Sequence, residues 1–212
     1  MSERSLQGAR VGCAMTGSFC TFKKVFEAWK SLKCAGAELY PIMSFNASRL
    51  DTRFYPAHEA VEIFEGIAGR KIWNTIEQVE PIGPKKLLDL LIVAPCTGNT
   101  LAKIARGITD TPAALAVKSH LRNGRPVLIA ISTNDGLGES AKNLGELFVT
   151  KGIYFVPFRQ DDWKEKPNSL VADFELLVES ASAALENRQI QPVLRPFLPE
   201  KTQNMTGKPE KC

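Results

Sequence analysis

Four short runs of small polar residues carry most of the chemistry open to this sequence. They are Thr16-Gly17-Ser18, Ser44 with Asn46, Pro95-Cys96-Thr97-Gly98-Asn99-Thr100, and Ser132-Thr133-Asn134, and each follows a short apolar run. Hydroxyls and carboxamides beside the free N–H groups of a helix N-terminus suit an anion such as a phosphate, and Gly17 and Gly98 let backbone approach it closely. The spacing therefore predicts an anion site built from Gly17, Ser18, Ser44 and the loop Thr97, Gly98, Asn99, Thr100. Taken alone, Thr16-Gly17-Ser18 reads first as an ordinary turn with an N-cap serine.

Arg49 and Arg53 follow the second of these runs, where forked guanidinium groups could grip the carboxylates of a small dicarboxylate. Exposed loop arginines are also commonly just solvated. His58 opens a helical pattern and reads either as a general acid or base or as a surface or capping residue. Cys96 reads either as a thiol activated by a helix dipole or as a small packing residue. No acid–base constellation stands out and no catalytic residue is assigned, which favours a cofactor-driven or supporting role over hydrolysis.

The elements that position these loops are legible in outline. Leu87 to Ala94, apolar in seven of eight residues, reads as a strand buried on both faces and stopped by Pro95. Arg10–Met15, Glu38–Met43, Pro126–Ile131 and Ile153–Phe158 read as further strands. Phe22, Val25, Phe26, Trp29 and Leu32 share one helical face, as do Ala60, Val61, Phe64 and Ile67. Thr111–Leu121 reads as a helix with Pro112 in its first turn, and a final helix is expected from Asn168 to about Asn187. Strands alternating with helices predict a doubly wound, mostly parallel α/β sheet of five or six strands, Rossmann- or flavodoxin-like, with helices on both faces. The polar loops then fall at its carboxyl edge, beside a crevice between the first and the central strand.

At 212 residues and 44% hydrophobic content the chain can bury one substantial core. One α/β domain over residues 1–187 is expected, with a proline-rich arm and disordered tail over 188–212. A net charge of +4, with basic residues scattered among acidic ones, argues against nucleic acid as a partner. Five cysteines without a CxxC pair, and only two histidines, offer no zinc-like spacing, so no metal is expected. No signal peptide and no run of about 20 apolar residues is seen, which predicts a cytoplasmic protein without membrane contact.

Thr16-Gly17-Ser18, Ser44 and Pro95–Thr100 together resemble the flavoprotein family that includes the cysteine decarboxylases and prenyl-flavin synthases. Its signature, Pro-Ala-Ser-Ala-Asn-Thr, is matched by Pro95, Asn99 and Thr100, while Cys96, Thr97 and Gly98 replace the central residues. Its later Pro-x-Met-Asn motif is represented by Ser132-Thr133-Asn134, without the methionine. Over nearly the whole chain the sequence is similar to the dipicolinate synthase B-subunit group of endospore-forming bacteria, on Thr52-Arg53-Phe54, Thr97-Gly98-Asn99, Ile131–Asp135, Pro157-Phe158 and Gln160-Asp161-Asp162. The resemblance implies an FMN site at Gly17, Ser18, Ser44, Asn46, Thr97, Gly98, Asn99, Thr100, Ser132, Thr133 and Asn134. It further implies a partner, the dipicolinate synthase A-subunit, with NAD(P) entering through that partner, and oxidation of a dihydrodipicolinate-type precursor during sporulation. Assembly as a homo-oligomer is implied as well. An FMN-dependent decarboxylase-like enzyme and a non-catalytic partner with a relic mononucleotide pocket are the alternatives.

Overall fold

Arg10–Met15 (β1) lies parallel between Glu38–Met43 (β2) and Leu90–Cys96 (β3), and Val127–Thr133 (β4) continues the sheet beyond β3. These observations come from a computed structural model that describes residues 6–196. Helical crossovers keep the four strands parallel. Phe22–Cys34 (α1) joins β1 to β2; Phe45–Arg49 (α2), Ala57–Ala68 (α3) and Ile76–Val79 (α4) lead to β3; Gly98–Ala105 (α5) and Pro112–Leu121 (α6) lead to β4. Every residue of β3 is buried, as expected of a parallel strand covered on both faces. The chain steps one way from β1 to β2 and the other way from β3 to β4. The carboxyl ends of β1 and β3 therefore flank the crevice that such a reversal opens.

The second half of the sheet departs from a purely parallel plan. After Ser140–Phe148 (α7), Ile153–Phe155 (β5) pairs in parallel with Val127–Ile129, the first part of β4. Phe158–Gln160 (β6) and Leu170–Ala172 (β7) form an antiparallel pair, and β7 lies antiparallel to Ser132 and Thr133 at the end of β4. Leu177–Leu185 (α8) closes the domain. Among the described residues the sheet thus has seven strands, not five or six, and its last strand runs against the others.

Three expected boundaries are corrected, each for a local reason. The strand expected over Ile153–Phe158 is two strands. Pro157, which has no N–H for a ladder, ends the β4 pairing, and its carbonyl instead accepts the Asp173 N–H. The helix expected from Asn168 begins nine residues later, because Leu170 and Val171 are taken by partners on both β4 and β6. The apolar spacing Leu170, Phe174, Leu177 masked a strand. The central strand runs over Leu90–Cys96, not Leu87–Ala94: Pro95 lies inside it at a register shift between Val93 and Cys96, where a proline disturbs no regular ladder bond.

At the far edge of the sheet the Asp89 carboxylate accepts the Arg10 Nε and Nη2 hydrogens at 3.0 and 2.8 Å and an Arg125 hydrogen at 3.1 Å. The Arg10 guanidinium holds the Asp89 pKa at about 2. The arm after α8 straps the other side. Gln189 bonds both the N–H and the carbonyl of Phe155 at 2.7 Å, and Val193 and Arg195 bond Phe158. The expected disordered tail beyond residue 196 lies outside the described residues.

Candidate functional site

The loops after β1 and β3 are tied together by one threonine. The Thr16 hydroxyl donates to the Pro95 carbonyl at 2.7 Å and accepts the Thr97 N–H at 3.0 Å, and Thr16 is almost fully buried. Thr97 in turn caps α5. Its hydroxyl accepts the Thr100 N–H at 3.3 Å and donates to the Thr100 hydroxyl at 3.1 Å. The first N–H groups of α5, on Gly98 and Asn99, have no partner within the helix by construction. Ser44 caps α2 in the same way by accepting the Ala47 N–H, and its own N–H reaches the Met15 carbonyl at 2.9 Å. The three loops are thereby fixed beside the crevice.

Two adjoining cavities result. The first, about 440 Å³, is lined by Thr16, Gly17, Phe19, Ser44, Phe45, Asn46, Thr97, Asn99, Thr100, Lys103 and Thr111. The second, about 380 Å³, is lined by Gly17, Ser18, Phe19, Cys20, Phe54, Thr97, Gly98 and Ser132 to Asp135. Gly17, Phe19 and Thr97 border both. A 2.8 Å hydrogen bond between the Ser18 and Ser132 hydroxyls joins the β1 loop to the end of β4. The single anion site read from sequence is therefore divided: Gly17, Ser44 and Thr97, Asn99, Thr100 meet in the first cavity, while Ser18 and Gly98 line the second with Ser132, Thr133 and Asn134.

Lys103 is the cation that sequence reasoning missed. It lies one helical turn after Asn99 on α5, and that i, i+4 spacing was the available signal. Its ammonium contacts both carboxylate oxygens of Asp110 at 2.6 and 2.7 Å and is itself only 18% exposed. The first cavity thus combines a helix N-terminus, hydroxyl donors and a lysine paired with Asp110. That set suits a phosphate monoester.

Arg49 and Arg53 line neither cavity. Both are exposed, each with its guanidinium carbon 4.9 Å from a ring centre, Arg49 over Phe45 and Arg53 over Phe54. Phe45 lines the first cavity and Phe54 the second, so the arginines stand on the rims. His58 is exposed and lines neither cavity. Cys96 is fully buried in β3, and burial pushes its thiol well above the ordinary range, so it is a packing residue. A larger groove of about 510 Å³ lies between α1 and α8, away from the polar loops, and the charges of Arg159 and Asp173 within it pair at 3.0 Å. Among the described residues no group of three or more His, Cys, Asp or Glu could hold a metal ion, and no helix is long and apolar enough to cross a membrane.

An open, doubly wound sheet with a phosphate-type cavity at its switch point and a second cavity beside it has the architecture of a mononucleotide-binding protein. The chain belongs to the flavoprotein family, whose sequence model, described as Flavoprotein, matches residues 1–147. It is 44% identical over 190 residues to the dipicolinate synthase B-subunit of Bacillus subtilis strain 168, across 90% of this chain and 95% of that protein. The crystal structure of the dipicolinate synthase B-subunit from Bacillus halodurans superposes with a TM-score of 0.84 at 40% identity, covering 92% of this chain and all of that one. The FMN-dependent cysteine decarboxylase SpaF shares the fold, with a TM-score of 0.65 at 22% identity over 85% of this chain and 99% of that one.

Proposed function

We propose that this chain is a flavin-type mononucleotide-binding component of a dipicolinate-forming oxidoreductase, acting with a separate A-subunit during sporulation. The observation that carries the reading is the convergence of the loops after β1, β2, β3 and β4 on two joined cavities. The first has the donors and the cation that a phosphate needs. The second is lined by Ser18, Ser132, Thr133 and Asn134 together with Phe19 and Phe54, a mixture of polar and aromatic residues that suits a planar heterocycle. Bound FMN would supply a ring able to accept hydride from a dihydropyridine-type dicarboxylate. The substrate and partner are carried over from the relative that is 44% identical.

In this reading Gly17, Ser44, Asn46, Thr97, Asn99, Thr100 and Lys103 hold the phosphate end, and Ser18, Gly98, Ser132, Thr133 and Asn134 orient the ring. A nicotinamide cofactor would enter through the A-subunit. Titration of the purified chain with FMN should give saturable binding with a perturbed visible spectrum. Reconstitution with the A-subunit should then raise dipicolinate formation above that of either component alone. An A-subunit that is equally active by itself would reduce this chain to a non-catalytic partner. Product formed by loss of carbon dioxide in the absence of the A-subunit would make it a decarboxylase.

A further inference from the structure

The turn that ends α5 leaves an apolar side chain in the open. Gly107, with φ at 67°, sends its N–H to the Ile104 carbonyl at 3.2 Å while the Ile108 N–H reaches the Lys103 carbonyl at 2.9 Å, the paired bonds by which a helix closes on a left-handed glycine. This pins Ile108, which is 46% exposed. Together with Ile104, and with Ala114, Val117 and Leu121 spaced three and four residues apart on α6, it lines a groove of about 390 Å³ between the two helices. That volume and that lining are those of a small-ligand pocket.

Every charge on the groove is positive. Lys103, Lys118 and Arg122 line it, and among the described residues no Asp or Glu does. Lys103 is answered by Asp110. Lys118 and Arg122 are exposed and among the described residues have no ion-pair partner, although they stand four residues apart on one helix, where like charges repel. The place of Arg122 is set by Gly83. A Cβ on Gly83 would fall 2.6 Å from the arginine Nη2 and 2.8 Å from its Nε, so the guanidinium rests in space that the glycine leaves. The α6 dipole favours cations near its end, but it calls for no apolar trough beside them.

We infer that the groove between α5 and α6 binds a small amphipathic carboxylate. An aliphatic or aromatic body lies along Ile108, Ala114, Val117 and Leu121, and the carboxylate accepts hydrogens from Lys118 and Arg122. An ammonium and a forked guanidinium suit that head group. Two helical turns separate Ala114 from Arg122, about 12 Å, which accommodates a medium-length acyl chain. A neutral ligand would leave both cations unanswered, and an amine would add a third. The site stands apart from the flavin reading, sharing only Lys103 with the first cavity and no residue with the second.

Calorimetric titration of the full chain with sodium octanoate tests this. One molecule should bind per chain, with saturation below about 1 mM, whereas octylamine should not bind. Lys118→Gln with Arg122→Gln should weaken octanoate at least about tenfold. Ile108→Ser, which removes an exposed wall and keeps the charges, should weaken it severalfold, and urea midpoints show which variants are folded. Saturating FMN should leave the octanoate site in place. Octanoate that FMN displaces completely, or that binds the Gln pair with wild-type affinity, overturns the inference, as does equal affinity for octylamine. A Gln pair whose oligomeric state changes in sedimentation would make the groove a protein contact and overturn it too. The cofactor reading fails separately: a chain that takes up octanoate but no FMN sinks that reading alone, and one that binds FMN but no octanoate sinks this one alone.

Discussion

Replacing Lys103 with methionine removes, among the described residues, the only lysine or arginine bordering the first cavity while keeping the length and apolar stem of the side chain. A charge-assisted contact to a phosphate is worth about 1.5 to 3 kcal/mol. Asp110, at 2.6 Å from the ammonium and 59% exposed itself, already satisfies part of that charge, which argues for the lower half of the range. Removing the lysine also frees a carboxylate near the cavity, and this adds repulsion toward a dianion. An affinity loss of about tenfold to a hundredfold follows for FMN, read by flavin fluorescence quenching. Asp110→Asn supplies the opposite sign: it releases the ammonium from its counter-ion and should tighten FMN severalfold. Riboflavin, which lacks the phosphate, should be indifferent to both substitutions. FMN affinity within twofold of wild type in a folded Lys103→Met variant would falsify the assignment of the phosphate to this cavity. So would parallel losses for FMN and riboflavin, which would mean that Lys103 acts on the fold and not on the anion.

Thr97→Val removes the α5 cap and the hydroxyl contact to Thr100. It should cost about 1 kcal/mol of stability, seen as a lower urea midpoint, together with weaker FMN binding. Gly98→Ala would place its Cβ 2.7 Å from the Ser140 hydroxyl and 2.8 Å from that of Thr133. Both hydroxyls can rotate away, so the fold should survive with a loss of about 1 kcal/mol, and the larger change should be a displaced flavin spectrum as Thr133 shifts in the second cavity. His120 is buried, its Nε2 has no partner, and burial together with the nearby Arg125 lowers its pKa to about 4. The folded state thus favours neutral imidazole, so stability contributed above pH 6.5 is lost as pH falls toward 4, by about 3 kcal/mol. A His120→Gln variant whose urea midpoint falls as steeply as the wild type's over that range would show that other groups govern the acid response.

The parallel half of the fold was readable because its signals are redundant. β3 announces itself by an unbroken apolar run, α1 by five residues on one face, α6 by Pro112 at its start, and the alternation of the two patterns leaves few topologies. The second half lacks that redundancy. β5, β6 and β7 have three residues each, too few to display a period of two. The apolar positions of β7 also run at helical spacing into those of α8. What fixes β7 is long-range pairing with Ser132 and Thr133, and no local window contains that information. Pro95 misled in the opposite direction: as a breaker it ended the strand on paper, yet a bulge accommodates it and its carbonyl anchors Thr16.

The candidate site was legible as a set of loops but not as a shape. Small polar residues after successive strands named the polar floor of the two cavities, because in an open parallel sheet the carboxyl ends must lie on one edge, but not Lys103 or the rings of Phe19, Phe45 and Phe54 that also border them. Sequence could not show that the β1 loop would divide that edge, placing Ser44 and Asn99 on one side and Ser18 and Ser132 on the other. Nor could it weigh the arginines. Arg49 and Arg53 sit in the right segment for a small dicarboxylate, but each is stacked on an aromatic ring at the rim, four residues apart and facing outward beside exposed Leu50 and Phe54. A forked cation at the end of a strand says which chemistry it suits, a carboxylate, and nothing about which way it faces. That direction is set by how the chain turns after α2, which carries both guanidinium groups over ring faces at the cavity mouths, and no local window of sequence contains the turn.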